Sequence, residues 1–216
     1  GIQKLVKKGD KDALKKAQYI DQVISHLSSG MSARSIENIS EIKSYLNEYN
    51  LITLKPVIYV CNVDENSIID GNKFSASFKD HIKSNIILIS ADIESQIATL
   101  SNEEQSDFLS SLGLEESGLN KIIREGYDTL NLITYFTSGE MESRAWTIEK
   151  NTLAPDAAGK IHTDFKSGFI RAETISSEDF ITCKGETKAR ELGKLRSEGK
   201  EYVVQDGDVM HFLFNN

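Results

Sequence analysis

Two short apolar runs each end in residues able to read a nucleobase. Val57-Ile58-Tyr59-Val60-Cys61 leads into Asn62-Val63-Asp64-Glu65, and Ile86-Ile87-Leu88-Ile89 leads into Ser90-Ala91. In open α/β sheets, ligands bind just beyond the carboxyl ends of the strands. A known purine-reading pair of loops has Asn-Lys-x-Asp in the first and Ser-Ala in the second. There the Asp takes two hydrogen bonds from the guanine edge, and the Lys stem covers the ring. Here Val63 stands in the Lys place and Glu65 in the Asp place. Glu is one methylene longer, so the guanine pairing geometry is lost. Adenine offers N7 as an acceptor and its N6 amino group as a donor. Asn62 can satisfy N7 and an acceptor can take the N6 hydrogens, so the expectation is adenine over guanine. Taken alone, the spacing also fits ordinary polar strand ends.

The elements that must hold these loops fall into three segments: 1–50, 51–130 and 131–216. In the first, Ala13, Ala17, Ile20, Ile24 and Leu27 form a narrow apolar seam of coiled-coil type. Gly9-Asp10 reads as a turn and cap before it, and Gly30 as its stop. A second helix is expected from about Ser35 to Tyr49. The seam needs a partner, and the chain does not begin with Met. Both features raise the expectation of further sequence upstream.

The middle segment alternates strand and helix. Continuous apolar runs without in/out alternation suit a parallel sheet covered on both faces. A crossover helix is expected from about Phe74 to Lys83. Ser101 and Glu104 have capping-box spacing, and Leu119, Ile122, Ile123, Tyr127 and Leu130 follow a helical period. The last segment reads as a hairpin, Leu132–Thr137 with Arg144–Ile148. A helix near Ala154 to His162 comes next, followed by strand Phe169–Ile175 and a helix near Glu186 to Arg196. Tyr202–Val204 and Val209–Phe214 close it as strands. About 85 residues in that order suit a small α+β domain of β-grasp form.

Composition narrows the function classes. The sequence has 216 residues, 25 Lys/Arg against 33 Asp/Glu, and a formal charge of −8. Segment 1–50 carries eight basic and six acidic residues, 51–130 six and thirteen, and 131–216 eleven and fourteen. A general nucleic-acid binder shows a broad basic field, which this balance excludes, so no DNA specificity is expected. Any RNA contact must come from a local patch, for which Lys160, Arg171, Lys188, Arg190, Lys194 and Arg196 are the candidates. The competing reading of that cluster is a solvated helix with i,i+4 pairs such as Glu186 to Arg190. No apolar stretch approaches the roughly 20 residues of a bilayer span, so no membrane role is expected. Cys61 and Cys183 make no disulfide framework, which fits a reducing cytoplasm. His26, His81, His162 and His211 are dispersed and lack metal-site spacing; for His162 a structural hydrogen bond is expected. Phe165 and Phe169 are expected in the core.

Longer motifs carry a resemblance. Lys55-Pro-Val-Ile-Tyr-Val-Cys-Asn-Val-Asp-Glu65, Gly113-Leu-Glu-Glu-Ser-Gly-Leu119 and Arg144-Ala-Trp-Thr147 are three of them. Ala154-Pro-Asp-Ala-Ala-Gly-Lys-Ile-His-Thr-Asp-Phe-Lys-Ser-Gly-Phe-Ile-Arg-Ala-Glu173 and Val203-Val-Gln-Asp-Gly-Asp-Val-Met-His-Phe212 are the most specific. With these, the sequence resembles the C-terminal two-thirds of the YchF family, the Obg-like ATPases. The resemblance implies a partial parallel-sheet G domain with a helical coiled-coil insertion, then a ubiquitin-like β-grasp TGS domain. It implies ATP binding and hydrolysis with Mg²⁺, weaker GTP binding, and association with the ribosome. Carried over by position, Asn62, Val63 and Glu65 form the adenine-reading loop, and Ser90 and Ala91 the second base loop. The departure is the phosphate grip. No Gly-x-x-x-x-Gly-Lys-Ser/Thr occurs, and that loop's amides, Lys and hydroxyl hold the phosphates and Mg²⁺. Asp156-Ala-Ala-Gly159 fits a loose phosphate-switch pattern but lies after the base loops, inside the β-grasp signature. This chain alone is therefore expected to bind no cofactor firmly and to hydrolyse nothing. The other class of reading is a stand-alone TGS adaptor for RNA or ribosomal protein, with the α/β part as scaffold. The resemblance leaves the oligomeric state open.

Overall fold

The computed structural model describes Val6 and residues 8–139 and 142–215. The chain divides into two compact units, residues 1–58 and 59–216.

The first unit is built on helix α1, Lys11–Ser28, and helix α2, Ile39–Leu46. Asp10 caps α1, its carboxylate accepting from the Ala13 amide at 2.9 Å. Gly30 (φ 80°) follows the end of α1 in the left-handed region, as the stop signal predicts. Val23, Ala33, Ile36, Ile42 and Leu46 form the core, with Tyr19, Ile20 and Leu27 packed against it. The buried stripe is thus rotated from the expected seam. Val23 is 3% exposed, whereas Ile24 is 55% exposed. The reason is that α2 and the chain around Ala33 supply the partner surface, and they meet α1 on the Val23 side. The second helix also starts later than expected, because Asn38 adopts φ 58° just before it. Lys15 Nζ and the Tyr19 hydroxyl both donate to Glu41, each at 2.7 Å, tying the two helices together at the surface.

The second unit opens with two three-residue strands, β1 (Val60–Asn62) and β2 (Ile87–Ile89), paired in parallel with Asn62 opposite Ile89. Helix α3, Lys73–Ile82, makes the crossover from an Asn72/Ser75 capping box. After β2 come α4 (Ala91–Ile97), α5 (Asn102–Ser111) and α6 (Gly118–Thr129). The predicted Ser101/Glu104 capping box is formed. Val63, Ile68, Ile93 and Ile97 make the local core, joined by Cys61, Leu88, Phe108 and Leu109.

The remaining strands form one mixed sheet. They are β3 (Leu132–Ser138), β4 (Ser143–Glu149), β5 (Phe169–Ser176), β6 (Arg196–Glu198) and β7 (Asp208–Phe214). Their spatial order is β4-β3-β7-β5-β6, with β7 parallel to β3 and the other pairs antiparallel. Helix α7, Ala154–Ile161, packs on this sheet through Ala154, Ala157 and Ala158, all fully buried. Such small side chains let the helix backbone come close, and the Tyr135 hydroxyl donates to the Ala157 carbonyl at 2.9 Å. Short helices α8 (Thr163–Ser167), α9 (Ser177–Thr182) and α10 (Glu186–Glu191) fill the connections.

Two sequence expectations fail here. The helix expected to reach Arg196 ends at Glu191, because Gly193 takes φ 69° and turns the chain. Arg196–Glu198 is instead an edge strand, β6. Tyr202–Val204 is not a strand; Val203 makes one isolated bridge to Leu153. Asp208 fixes this region: its Oδ2 accepts from the Tyr202 hydroxyl at 2.7 Å and from the Gln205 amide at 2.9 Å.

Tyr135→Phe is expected to cost about 1–2 kcal/mol in urea unfolding, since a buried carbonyl loses its donor; an unchanged midpoint would contradict this account of α7 docking. Burial, and then the bond to Asp208, hold the Tyr202 phenol well above its ordinary range. A raised folded pKa stabilises fully below the unfolded value of about 10 and is lost as pH rises through the folded value. The melting temperature is therefore expected to fall more steeply above about pH 10 in wild type than in Tyr202→Phe.

Candidate functional site

The parallel pairing of β1 and β2 sends both carboxyl ends the same way. Asn62 is the last residue of β1, and its Oδ1 accepts from the Ala91 amide at 3.0 Å, tying the two loops together. The Val63 amide extends the ladder to the Ile89 carbonyl at 2.8 Å. Strand alternation then decides which side chains face out. Cys61 and Val63 share one face, and Val63 (8% exposed) packs with Ile68, Ile93 and Ile97. Asn62 lies on the other face and is exposed. Since Oδ1 is engaged, the Nδ2 group of Asn62 remains to donate.

Ser90 is 1% exposed, and its Oγ has no hydrogen-bond partner among the described residues. It precedes α4, whose inner face buries Ile93 and Ile97. Glu65 opens a single 3₁₀ turn, Glu65–Ser67, and its Oε1 accepts from Gln96 Nε2 at 2.9 Å. Glu94, on the same helix, accepts from the Gly118 amide at 2.7 Å and the Leu119 amide at 3.2 Å. A carboxylate at the start of a twelve-residue helix satisfies free amides and meets the positive end of the dipole. Gly118 is required there by space: a Cβ would lie 2.7 Å from Ile89 Cγ2 and 2.9 Å from Glu94 Oε1. Asn62, Glu65, Ser90 and Ala91 are thus gathered around the ends of β1 and β2, with Val63 behind them in the core.

Comparisons with known proteins find relatives of the whole chain. A family model named YchF-GTPase_C, described as "Protein of unknown function (DUF933)", matches residues 132–215. The ribosome-binding ATPase YchF of Escherichia coli O157:H7 is 47% identical over 217 residues, covering 99% of this chain and 60% of the relative. That of Bacillus subtilis (strain 168) is 45% identical over 219 residues, again covering 99% and 60%. The solved structure of the Schizosaccharomyces pombe YchF GTPase superposes with a TM-score of 0.79 at 35% identity, covering 94% of this chain and 56% of that one. This chain matches a C-terminal portion of YchF proteins along nearly its whole length. It spans about 60% of the length of the curated YchF relatives named here.

Residues Gln96, Glu94 and Gly118 were not singled out from the sequence. Gly118 lies inside the Ser117-Gly118-Leu119 stretch that carries the YchF resemblance, and that was its one visible signal. The two side chains on α4 carried none, because their partners lie 24 to 31 residues away in the chain.

The basic residues of the YchF C-terminal region are dispersed over several partners. Arg190 reaches Glu173 at 2.7 Å and Glu186 at 2.8 Å. Arg171 also lies 3.6 Å from Glu173, and Lys194 pairs with Asp179 at 3.2 Å. Arg196 shares Glu198 and Asp208, each at 3.4 Å. Lys160 and Lys188 have no ion-pair partner among the described residues. His162 Nδ1 accepts from the Asp164 amide at 3.3 Å, and Phe165 stacks on Phe214 with centroids 3.8 Å apart. Asp156 pairs with Lys166. Among the described residues no group of three or more His, Cys, Asp or Glu is placed to hold a metal ion. None of their helices is long and apolar enough to cross a membrane.

Gly118→Ala is expected to destabilise the second unit by about 1–3 kcal/mol through overpacking against Ile89. Denaturant unfolding followed by tyrosine fluorescence reads this directly, and a neutral result would mean that the β2–α6 contact is looser than described.

Proposed function

We propose that this chain supplies the adenine-reading loops and a ribosome-facing module of an ATPase that binds and hydrolyses ATP in preference to GTP. The observation that carries the reading is the bond from the Ala91 amide to Asn62 Oδ1. It brings the two loops together and leaves the Asn62 Nδ2 hydrogens for a purine N7. Glu65 supplies an acceptor for the adenine amino group. Ser90 and Ala91 form the second wall, and Val63 supports the loop from the core. The relatives are named ribosome-binding ATPases, which supports the same activity, the same partner and a cytoplasmic setting here.

Mg²⁺ and the phosphates belong to sequence outside these 216 residues, because the phosphate-binding pattern is not among them. Most triphosphate binding and the metal-assisted charge neutralisation in transfer come from such a loop and its metal. Residues 131–216 are read as a TGS domain of β-grasp form. A hairpin, a helix packed on one face and a last strand lying parallel to the first support that reading. Residues 1–50 are read as part of a helical coiled-coil insertion. On the module, Lys160 and Lys188 are the cations best placed to meet RNA phosphates, while Arg171, Arg190, Lys194 and Arg196 share their charge with carboxylates.

The test has two arms. Residues 1–216 mixed with Mg-ATP are expected to release no phosphate above the blank, and turnover that survives purification would overturn the division of labour. In the full-length protein, Asn62→Ala is expected to weaken ATP binding at least about tenfold, as loss of a desolvated base contact does.

A further inference from the structure

We propose that Gln96 is a positioning residue that sets the base preference by occupying one oxygen of Glu65. The inference rests on the base-site reading above and deepens it. Gln96 Nε2 donates to Glu65 Oε1 at 2.9 Å. The opposite amide orientation would set a carbonyl against a carboxylate, so the donor face is the one that bonds. Glu65 Oε2 has no partner among the described residues.

The helix that carries Gln96 is well anchored. Ile93 and Ile97 are 1% and 7% exposed on its inner face. Its first amide is bound by Asn62, and Glu94 joins it to the start of α6. Gln96 is therefore delivered to Glu65 by a fixed element rather than by a loose loop.

The chemical consequence lies in how many donors a base presents. Guanine offers two side by side, N1–H and the N2 amino group, and a carboxylate meets them with both oxygens. Adenine offers only its N6 amino group on that edge. A carboxylate with both oxygens free suits guanine. One with Oε1 already bonded and held by Gln96 still offers Oε2 to the adenine amino hydrogen, whereas the two-point guanine contact would have to share Oε1 with Gln96 and align to it. The longer Glu side chain shifts the carboxylate, and Gln96 takes one acceptor site of Oε1 and fixes how the carboxylate is turned.

The experiment measures dissociation constants for Mg-ATP and Mg-GTP by calorimetry on the full-length protein, wild type and variants. Gln96→Leu frees the second oxygen and is expected to narrow the ATP-to-GTP preference about tenfold, chiefly by tighter GTP binding. Gln96→Lys keeps a donor facing Glu65 and is expected to retain the wild-type preference. Parallel weakening of both nucleotides in Gln96→Leu, or an unchanged ratio, would overturn the role given to Gln96. So would a Gln96→Lys ratio matching that of Gln96→Leu. Asn62→Ala is the separate control: if it leaves both affinities unchanged, the base-site reading fails on its own account.

Discussion

One hydrogen bond organises the region of interest: the Ala91 amide held by the side chain of Asn62. A pair of three-residue strands is a weak sheet by itself. Its carboxyl ends carry loops that have no backbone reason to stay together past the last ladder bond. An Asn at the end of β1 reaches across to the first amide of the next helix. It therefore fixes the distance between the loops and satisfies an amide that a helix start would otherwise leave free. The arrangement also divides the Asn side chain into two parts, with the carbonyl used for structure and the amide nitrogen left over.

The helices around the loops extend that constraint. The α4 helix is held at its start by Asn62, along its length by Ile93 and Ile97, and on its flank by Glu94 bonded to the beginning of α6. Farther along, the α6 helix meets the five-stranded sheet, where the Tyr127 hydroxyl lies 3.2 Å from Thr147 Oγ1 and Lys150 pairs with Asp128 at 2.9 Å. Continuous contacts therefore run from the strand ends to the sheet within one compact unit. The same economy shows in glycine usage at Gly118, where Ile89 and Glu94 leave no room for a side chain.

The C-terminal sheet follows different physics. Its core packs Tyr135, Met210 and Phe212 in one buried cluster with three alanines of α7. Asp208, buried at the start of the central strand β7, is satisfied by Tyr202, Gln205 and Arg196, whereas Arg171, Arg190 and Lys194 form half-exposed ion pairs at the surface. Surface ion pairs of this kind contribute little to stability. Their effect is to spread charge, so a cluster that looks basic in sequence is largely neutralised in space.

Much of this was legible in the order of residues. Caps at Asp10 and Ser101, the crossover helix before β2, the hairpin and the long last strand follow from local chemistry that acts within a few residues. The types at Asn62, Glu65, Ser90 and Ala91 also marked the strand ends, and the resemblance to the YchF family was carried by contiguous motifs. What the sequence could not decide was every matter settled by partners far along the chain. Val23 rather than Ile24 is buried because α2 lies on that side. Arg196–Glu198 became a strand because β5 offered it an edge, although its neighbours favour helix. Gln96 met Glu65, and Glu94 met Gly118, only after α4 had been set in place. Periodicity and capping are short-range forces written into the chain itself, whereas facing, pairing and neutralisation depend on which surfaces the fold brings together.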